Sequence, residues 1–375
     1  CLFVSNQLTK ILYIMKKITF FTVLLTLFMW FGGFAQITWY VTSPANGGSN
    51  VDGDGSQSFP YATPFFANSI ASAGDTIIID GEVNQPGAVN LTKSLTFSGI
   101  NNAAIVGAPQ FAPQGRLFAM PSDPFDTNPP VLVMAFNNIE FRNFEAADEF
   151  GDPIPAVSGV IFNNQGRPNV QATFTDCVFN GNISSANGGA IFINNNVLLT
   201  LNDCLFRNNT AAVSGGGLYI NSVDFSPTVN ITGTTFYQNL AQGTLGSNGG
   251  GAILIEGVGA QLNGQLNIFN STFYQNYTTK ASVDYGAIRC TNSNVLVTNS
   301  LFYENKIDGG IGASSDFGSA PLGFQSFTYS IGEWISNNVD TRNNFKAFVK
   351  ATTDPSEVAA NLTSSNLAYD AASGL

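Results

Sequence analysis

The sequence predicts an all-β chain wound as a right-handed parallel β-helix, a solenoid with an N-terminal cap. Three observations carry this reading. A Phe-x-x-Asn pair recurs as Phe179/Asn182, Phe206/Asn209, Phe236/Asn239, Phe273/Asn276 and Phe302/Asn305. Small-residue entries into an apolar segment follow the first four copies: "GGAIF" at 188–192, "GGGLY" at 215–219, "GGAIL" at 250–254 and "YGAIR" at 285–289. Ahead of each Phe, apolar residues recur two apart, the period of a strand with one face inward. The Phe residues lie 27, 30, 37 and 29 positions apart, so a core unit persists while its loops vary, as in a stacked repeat.

Alignment on the Phe justifies each element. Seven residues before it stand Ala172, Leu199, Val229, Leu266 and Val295, and five before it Phe174, Leu201, Ile231, Ile268 and Val297. These form the inward side of one strand. Three before the Phe come Asp176, Asp203, Gly233, Asn270 and Asn299, residue types that tolerate a left-handed backbone and so mark a bend. Two before it, Cys177, Cys204, Thr234, Ser271 and Ser300 make a column of small side chains. A weaker upstream copy places Met134, Phe136, Asn138, Ile139 and Phe141 in the same slots, with Phe144 in place of the Asn. One coil cannot bury its own apolar face, whereas stacked coils share a core at roughly 4.8 Å per step. The Asn residues then form a ladder at a turn, and the glycines stand where a side chain would clash.

The N-terminal text reads as an export signal. Residues 1–14 are uninterpreted upstream sequence, and residues 15–35 have the form of a signal peptide. Lys16 and Lys17 precede an apolar run from Ile18 to Phe31, and Gly33-Phe34-Ala35 offers a small-x-small cleavage site. The run is shorter than the roughly 20 residues of a membrane span, so no transmembrane segment is expected after cleavage. Removing residues 1–35 takes away Lys10, Lys16 and Lys17 and no acid, leaving 11 basic against 25 acidic groups, a net −14. Such a surface repels phosphate backbones, which argues against nucleic acid as a partner. The chain contains no His, which removes Ser-His-Asp and Cys-His catalysis and His-ligated zinc. Of the four cysteines, Cys177, Cys204 and Cys290 remain after removal of residues 1–35, an odd number without metal-type spacing. The first two fall one coil apart, where parallel stacking leaves Cβ atoms farther apart than a disulfide needs, so they read as buried thiols.

The pairs "GGAIF" with "FNGN", "GGGLY" with "FRNN" and "GGAIL" with "FYQN" resemble the repeats of chlamydial polymorphic outer-membrane proteins, members of the pectin-lyase-like β-helix superfamily. The stretch from Trp39 to Glu82 is similar to the opening of many secreted bacterial β-helix proteins, in which a short strand, a Gly/Asp loop and an amphipathic helix cap the first coil. The resemblance covers roughly residues 37–310. It implies a secreted or outer-surface passenger with an adhesive role, facing an extracellular polysaccharide or a host or neighbour cell surface. Residues 36–310 are accordingly read as the β-helix with its cap. Residues 311–375 are read as an irregular closing segment, with either an anchor beyond a truncated end or a protein that is simply released.

Candidate chemistry is sparse. One residue past the repeat Phe, Tyr237, Tyr274 and Tyr303 are expected to point outward on successive coils as an exposed stripe suited to stacking on a neutral glycan. A tyrosine stack that only stabilises the coil is the plainer alternative. Gln238, Gln275 and Glu304 follow as hydrogen-bonding neighbours. Asn50, Asp52 and Asp54 in "NVDGDG" match the first half of a calcium loop, but Tyr61 stands where an EF-hand requires Glu; a Gly/Asp turn is the favoured reading. No cofactor is required, and Ca²⁺ is the ion such a loop would take. The acid-rich "FEAADEFGD", with Glu145, Asp148, Glu149 and Asp152 near Arg142 and Arg167, is the raw material for the rival reading, a Ca²⁺-dependent polysaccharide lyase or glycoside hydrolase. A purely structural spacer is the third. The expectation is a non-catalytic, adhesin-like glycan binder.

Overall fold

The computed structural model describes residues 36–107, 116–120, 129–145, 158–164, 168–194, 196–222, 226–243, 249–257, 264–279, 286–307, 316–319, 325–328 and 330. Each coil has the same parts, shown by the coil that begins at Val197. A strand at Val197–Asn202 is followed by a bend and a short strand at Leu205–Arg207. A second bend leads to Thr210–Ala211, and a glycine turn to Leu218–Asn221. Equivalent strands of successive coils pair in parallel, as Leu199↔Val229, Phe206↔Phe236, Ala211↔Ala241 and Ile220↔Ile255 illustrate. The chain is a parallel β-helix. A right-handed connection is the rule for parallel strands joined within one sheet.

Its interior is built from columns. Phe141, Phe179, Phe206, Phe236, Phe273 and Phe302 are vertical neighbours in register. Their ring centroids step by 5.3, 4.2, 4.7, 5.0 and 4.7 Å. Phe97, Phe136 and Phe174 form a second stack at 5.3 and 4.4 Å. Each fully buried Phe is worth about 1.5–3 kcal/mol relative to exposure, and a stacked pair about 0.5–1.5 kcal/mol more. Surface ion pairs contribute about 0–1 kcal/mol each, so the interior sets the register.

The bends fall where residue type predicts. Asp176, Asp203, Gly233, Asn270 and Asn299 have φ of 52, 52, 62, 49 and 49°. A second bend two residues past the Phe carries Asn143, Asn208, Gln238, Gln275 and Glu304 at φ between 50 and 58°, with Gly181 at 63°. The small-residue column between the first bend and the Phe is buried throughout. In it each hydroxyl turns back on its own strand, as when Ser271 Oγ donates to the Phe269 carbonyl at 2.7 Å. It also accepts an amide from the coil below, Cys204 N to Thr234 Oγ1 at 3.3 Å and Ser271 N to Ser300 Oγ at 3.2 Å. The glycine turn needs its glycines for two reasons. Gly188, Gly215 and Gly250 have φ of 66, 65 and 67°. A Cβ on Gly216 would lie 2.2 Å from the Gly251 carbonyl oxygen and 2.5 Å from the Leu240 nitrogen.

At the N-terminal end, Thr38–Thr42 is already a sheet strand, paired with Thr76–Asp80. Its other edge is covered by the loop that follows. Tyr40 N donates to the Gly55 carbonyl at 2.8 Å, Thr42 N to the Tyr61 carbonyl at 2.9 Å, and Tyr61 N to the Tyr40 carbonyl at 2.8 Å. Helix α1, Pro64–Ile70, packs against Thr38–Thr42 and Thr76–Gln85. Pro64 opens it and Thr63 Oγ1 accepts from Phe66 N at 3.3 Å, the N-cap arrangement that proline at the first position favours. At the other end the coils run beyond the boundary expected at 310. Phe317 pairs with Ile288, Gln325–Thr328 pair with Val295–Thr298, and Ser300 N donates to Ser330 Oγ at 3.3 Å. The expectations for residues 1–35, and for all beyond Ser330, lie outside the described residues.

Candidate functional site

The outer surface beside the Phe column changes character along the axis. In the first coils it is charged: Arg142 Nη2 meets Glu82 at 2.5 Å, Arg142 Nη1 meets Glu140 at 2.9 Å, and Arg207 Nη2 reaches Glu140 at 3.4 Å. Asn180 Nδ2 donates to the same Glu140 at 3.0 Å. Arg207 is then in register with Tyr237, Tyr274 and Tyr303. The tyrosines stack as the spacing implies, with centroids 5.3 and 5.6 Å apart and ring planes within 14°. They are not exposed, however: Tyr237, Tyr274 and Tyr303 retain 5, 3 and 8% of their accessible surface. The reason is visible two residues earlier. Thr235, Thr272 and Leu301, on the same outward side, are buried too, whereas their counterparts Val178 and Leu205 are only half-buried. The outward side is closed over these coils, so a sugar ring has no free aromatic face to stack on. Burial, followed by Glu304, Tyr237 and Tyr303, pushes the Tyr274 hydroxyl up to about 12.

Beside this stack the second bend carries an outward polar ladder. Gln238 Nε2 donates to Gln275 Oε1 at 3.0 Å, and Gln275 Nε2 to Glu304 Oε2 at 2.8 Å. A parallel ladder runs inside. The buried Asn209 Nδ2 donates to Asn239 Oδ1 at 2.9 Å and to the Phe179 carbonyl at 2.9 Å. The unit repeats from Asn182 to Asn305, and Asn305 Nδ2 ends it on the buried Asp316 Oδ1 at 2.9 Å. The expected amide ladder is present, within the core side of the turn.

The loop read as a half calcium site is a structural cover. Asn50 Oδ1 accepts from Ala62 N at 2.8 Å and its Nδ2 donates to Thr63 Oγ1 at 3.1 Å. Asp54 accepts from Ser56 N at 2.9 Å, and hydrogen bonds from Ser56 hold its carboxyl below the usual range. Asp52 is exposed. Asn50 is thus engaged in clipping the loop to Ala62 and Thr63, which favours the turn over the metal reading. Of the acid-rich segment only Glu145 is described, bridging to Ile183; Asp148, Glu149, Asp152 and Arg167 lie outside the described residues. Cys177, Cys204 and Cys290 are free and buried, and burial pushes the Cys290 thiol up to about 12.

Two polar features escaped sequence reasoning. Asp75, buried beneath the first strand, accepts from Ile37 N at 3.0 Å, Trp39 Nε1 at 2.9 Å and Ser72 N at 2.8 Å. Tyr219 stacks on Phe192 at 5.3 Å and donates to Glu256. Burial and then Glu256 push its hydroxyl well above the usual tyrosine range. The Trp39–Asp75 spacing carries no local pattern. The approach of Tyr219 to Glu256 needs the coil register, which sets Tyr219 opposite Leu254, two residues before Glu256 on the same side.

These coils define a parallel β-helix. A family model described as the Chlamydia polymorphic membrane protein repeat matches the chain twice, at residues 176–194 and 203–221. Both matches begin at the left-handed Asp of the first bend and end with the strand after the glycine turn. No curated protein matches the chain. Among solved structures, a rhamnogalacturonan lyase shares 13% identity over 86% of this chain and 94% of its own, with a TM-score of 0.36. The pectin methylesterase from Aspergillus niger, in deglycosylated form, shares 11% over 88% and 95%, with a TM-score of 0.29.

Proposed function

We propose that this chain is an exported or cell-surface β-helix protein whose role is adhesive binding of an extracellular polysaccharide or neighbouring cell surface, without catalysis. The observation that carries the reading is the repeat itself. Two coils match the polymorphic membrane protein repeat, and the same coil geometry presents neutral amides outward in fixed ladders, Gln238–Gln275 among them. Ladders of this kind are preorganised, so little side-chain entropy is lost on contact with an extended ligand. The leader-like residues 15–35 and the low charged fraction of 10% support an extracytoplasmic setting.

The test is retention of the protein on immobilised neutral and acidic polysaccharides, with and without Ca²⁺, while unsaturated and reducing ends are followed. Retention without products, weakened at least severalfold by Gln238→Lys with Gln275→Lys, is the expected result. Release of new chain ends would replace the adhesive reading with a lyase or hydrolase. Absence of retention on every surface would leave a spacer.

A further inference from the structure

A different face of the coil carries an inference that does not depend on the preceding reading. It is the outward side of the long strands from Thr38–Thr42 to Asn294–Thr298. One column on it reads Thr76, Thr96, Thr173, Thr200, Asn230 and Asn267 in register, with Ala135 between Thr96 and Thr173. A second column stands two residues further along each strand and includes Thr175 and Thr232. Between Thr38 and Thr298 neither column contains a Lys, Arg, Asp or Glu, in a chain of net charge −11. From Thr76 onward the described side chains of the first column are half-buried, leaning on one another with their ends in water.

We propose that this face binds the surface of ice. Two features fit an uncharged lattice of ordered water. The first is periodicity: neighbours repeat at about 4.8 Å across coils and about 6.7 Å along a strand, over a length of about 38 Å. The second is chemistry. Each Thr offers a hydroxyl and a methyl at the same repeat, which together order water without charge. The amides are locked in place, Asn267 Nδ2 on Asn230 Oδ1 at 2.9 Å and Gln265 Nε2 on Asn267 Oδ1 at 2.9 Å. A charged polymer would find no counter-charge within either column. A sugar chain would find aromatic faces only at Tyr40 and Phe269, at opposite ends.

The full chain is placed in solution with a slowly growing ice front, and its partition into the ice and its depression of the freezing point below the melting point are measured. The expected result is enrichment in the ice and a measurable gap between the two temperatures. Thr200→Lys with Asn230→Lys should reduce the enrichment at least tenfold while leaving the thermal melt intact, because both side chains point outward. Gln238→Lys, on another face, should leave it unchanged. Exclusion of the unmodified protein from ice overturns the proposal. So does enrichment that survives the double lysine variant, or that Gln238→Lys abolishes. Binding to crystalline cellulose but not to ice would also overturn it, in favour of a polysaccharide occupant.

Discussion

At the scale of single residues, the buried asparagines are the costliest positions to change. Asn239 Nδ2 serves Asn276 Oδ1 and the Phe206 carbonyl, while its Oδ1 receives Asn209 Nδ2 and Asn209 N. Asn239→Ala orphans buried groups on the two neighbouring coils, each worth about 1–3 kcal/mol, so denaturant unfolding should show a loss of about 3 kcal/mol or more. Asp203 is the contrasting case. Its φ of 52° disfavours a β-branched side chain, so Asp203→Val should cost about 1–2 kcal/mol, whereas Asp203→Gly, the residue type of Gly233 one coil on, should cost less. The thiols give a third expectation. Cys177, Cys204 and Cys290 are buried, so a thiol reagent should leave all three unmodified in the folded protein and label them in denaturant. The bend at Asp203 was legible because Asp, Asn and Gly are the types that adopt positive φ. The second bend was hidden because Gln238, Gln275 and Glu304 are not. There the stack imposes the conformation on whatever residue falls in the slot.

At the scale of elements, the first strand and the glycine turn each rest on one feature. Beneath the first strand, burial pushes the Asp75 carboxyl up. The amides of Ile37 and Ser72, the Trp39 indole and the nearby Lys93 outweigh this and hold it below the usual range. A carboxyl depressed by folding stabilises above its unfolded value of about 3.9 and loses that contribution as the pH falls through the folded value. Thermal melts should therefore separate the wild type from Asp75→Asn most at neutral pH, with the gap closing below about pH 4. Gly216→Ala forces a methyl onto the Gly251 and Leu240 backbone, a clash that no side-chain rotation relieves. Overpacking of this kind costs about 1–3 kcal/mol, readable as a lowered denaturation midpoint. The loop over the first strand shows how an element can be misread. "NVDGDG" has the composition of a cation loop, and only the distant partners Ala62 and Thr63 reveal that Asn50 is a clip. The outward tyrosines were misplaced for a similar reason. Alternation gives the side of the strand, and whether that side is open depends on what lies over it.

At the scale of the whole molecule, one rule governs: equivalent residues form vertical columns. The rule was readable from the Phe and Asn spacing over residues 134–305 because those slots keep their residue types. It faded at both ends for physical reasons. Between Phe97 and Ile105, which fill the slots of Phe136 and Phe141, the chain holds three extra residues and turns through Asn101 and Asn102 at φ of 54 and 57°. At the C-terminal end the sequence has Gly332, not Phe, five residues after Phe327, so the motif is lost from the text although the strand at Gln325–Thr328 still pairs. Among the described residues, the outward column from Thr76 to Asn267, the tyrosine stack and the amide ladders all inherit their geometry from this register.

The register can be measured directly. Nitroxide pairs are placed at Gln171 with Thr228, with Gln265 and with Asn294, which occupy one outward column two, three and four coils apart. Their sequence separations grow unevenly, but their backbone separations should rise in equal steps of about 4.8 Å. Distances from spin–spin coupling that climb by that constant increment are the predicted result. Distances that follow sequence separation, or that scatter without a step, would contradict the stacked coil and every surface derived from it.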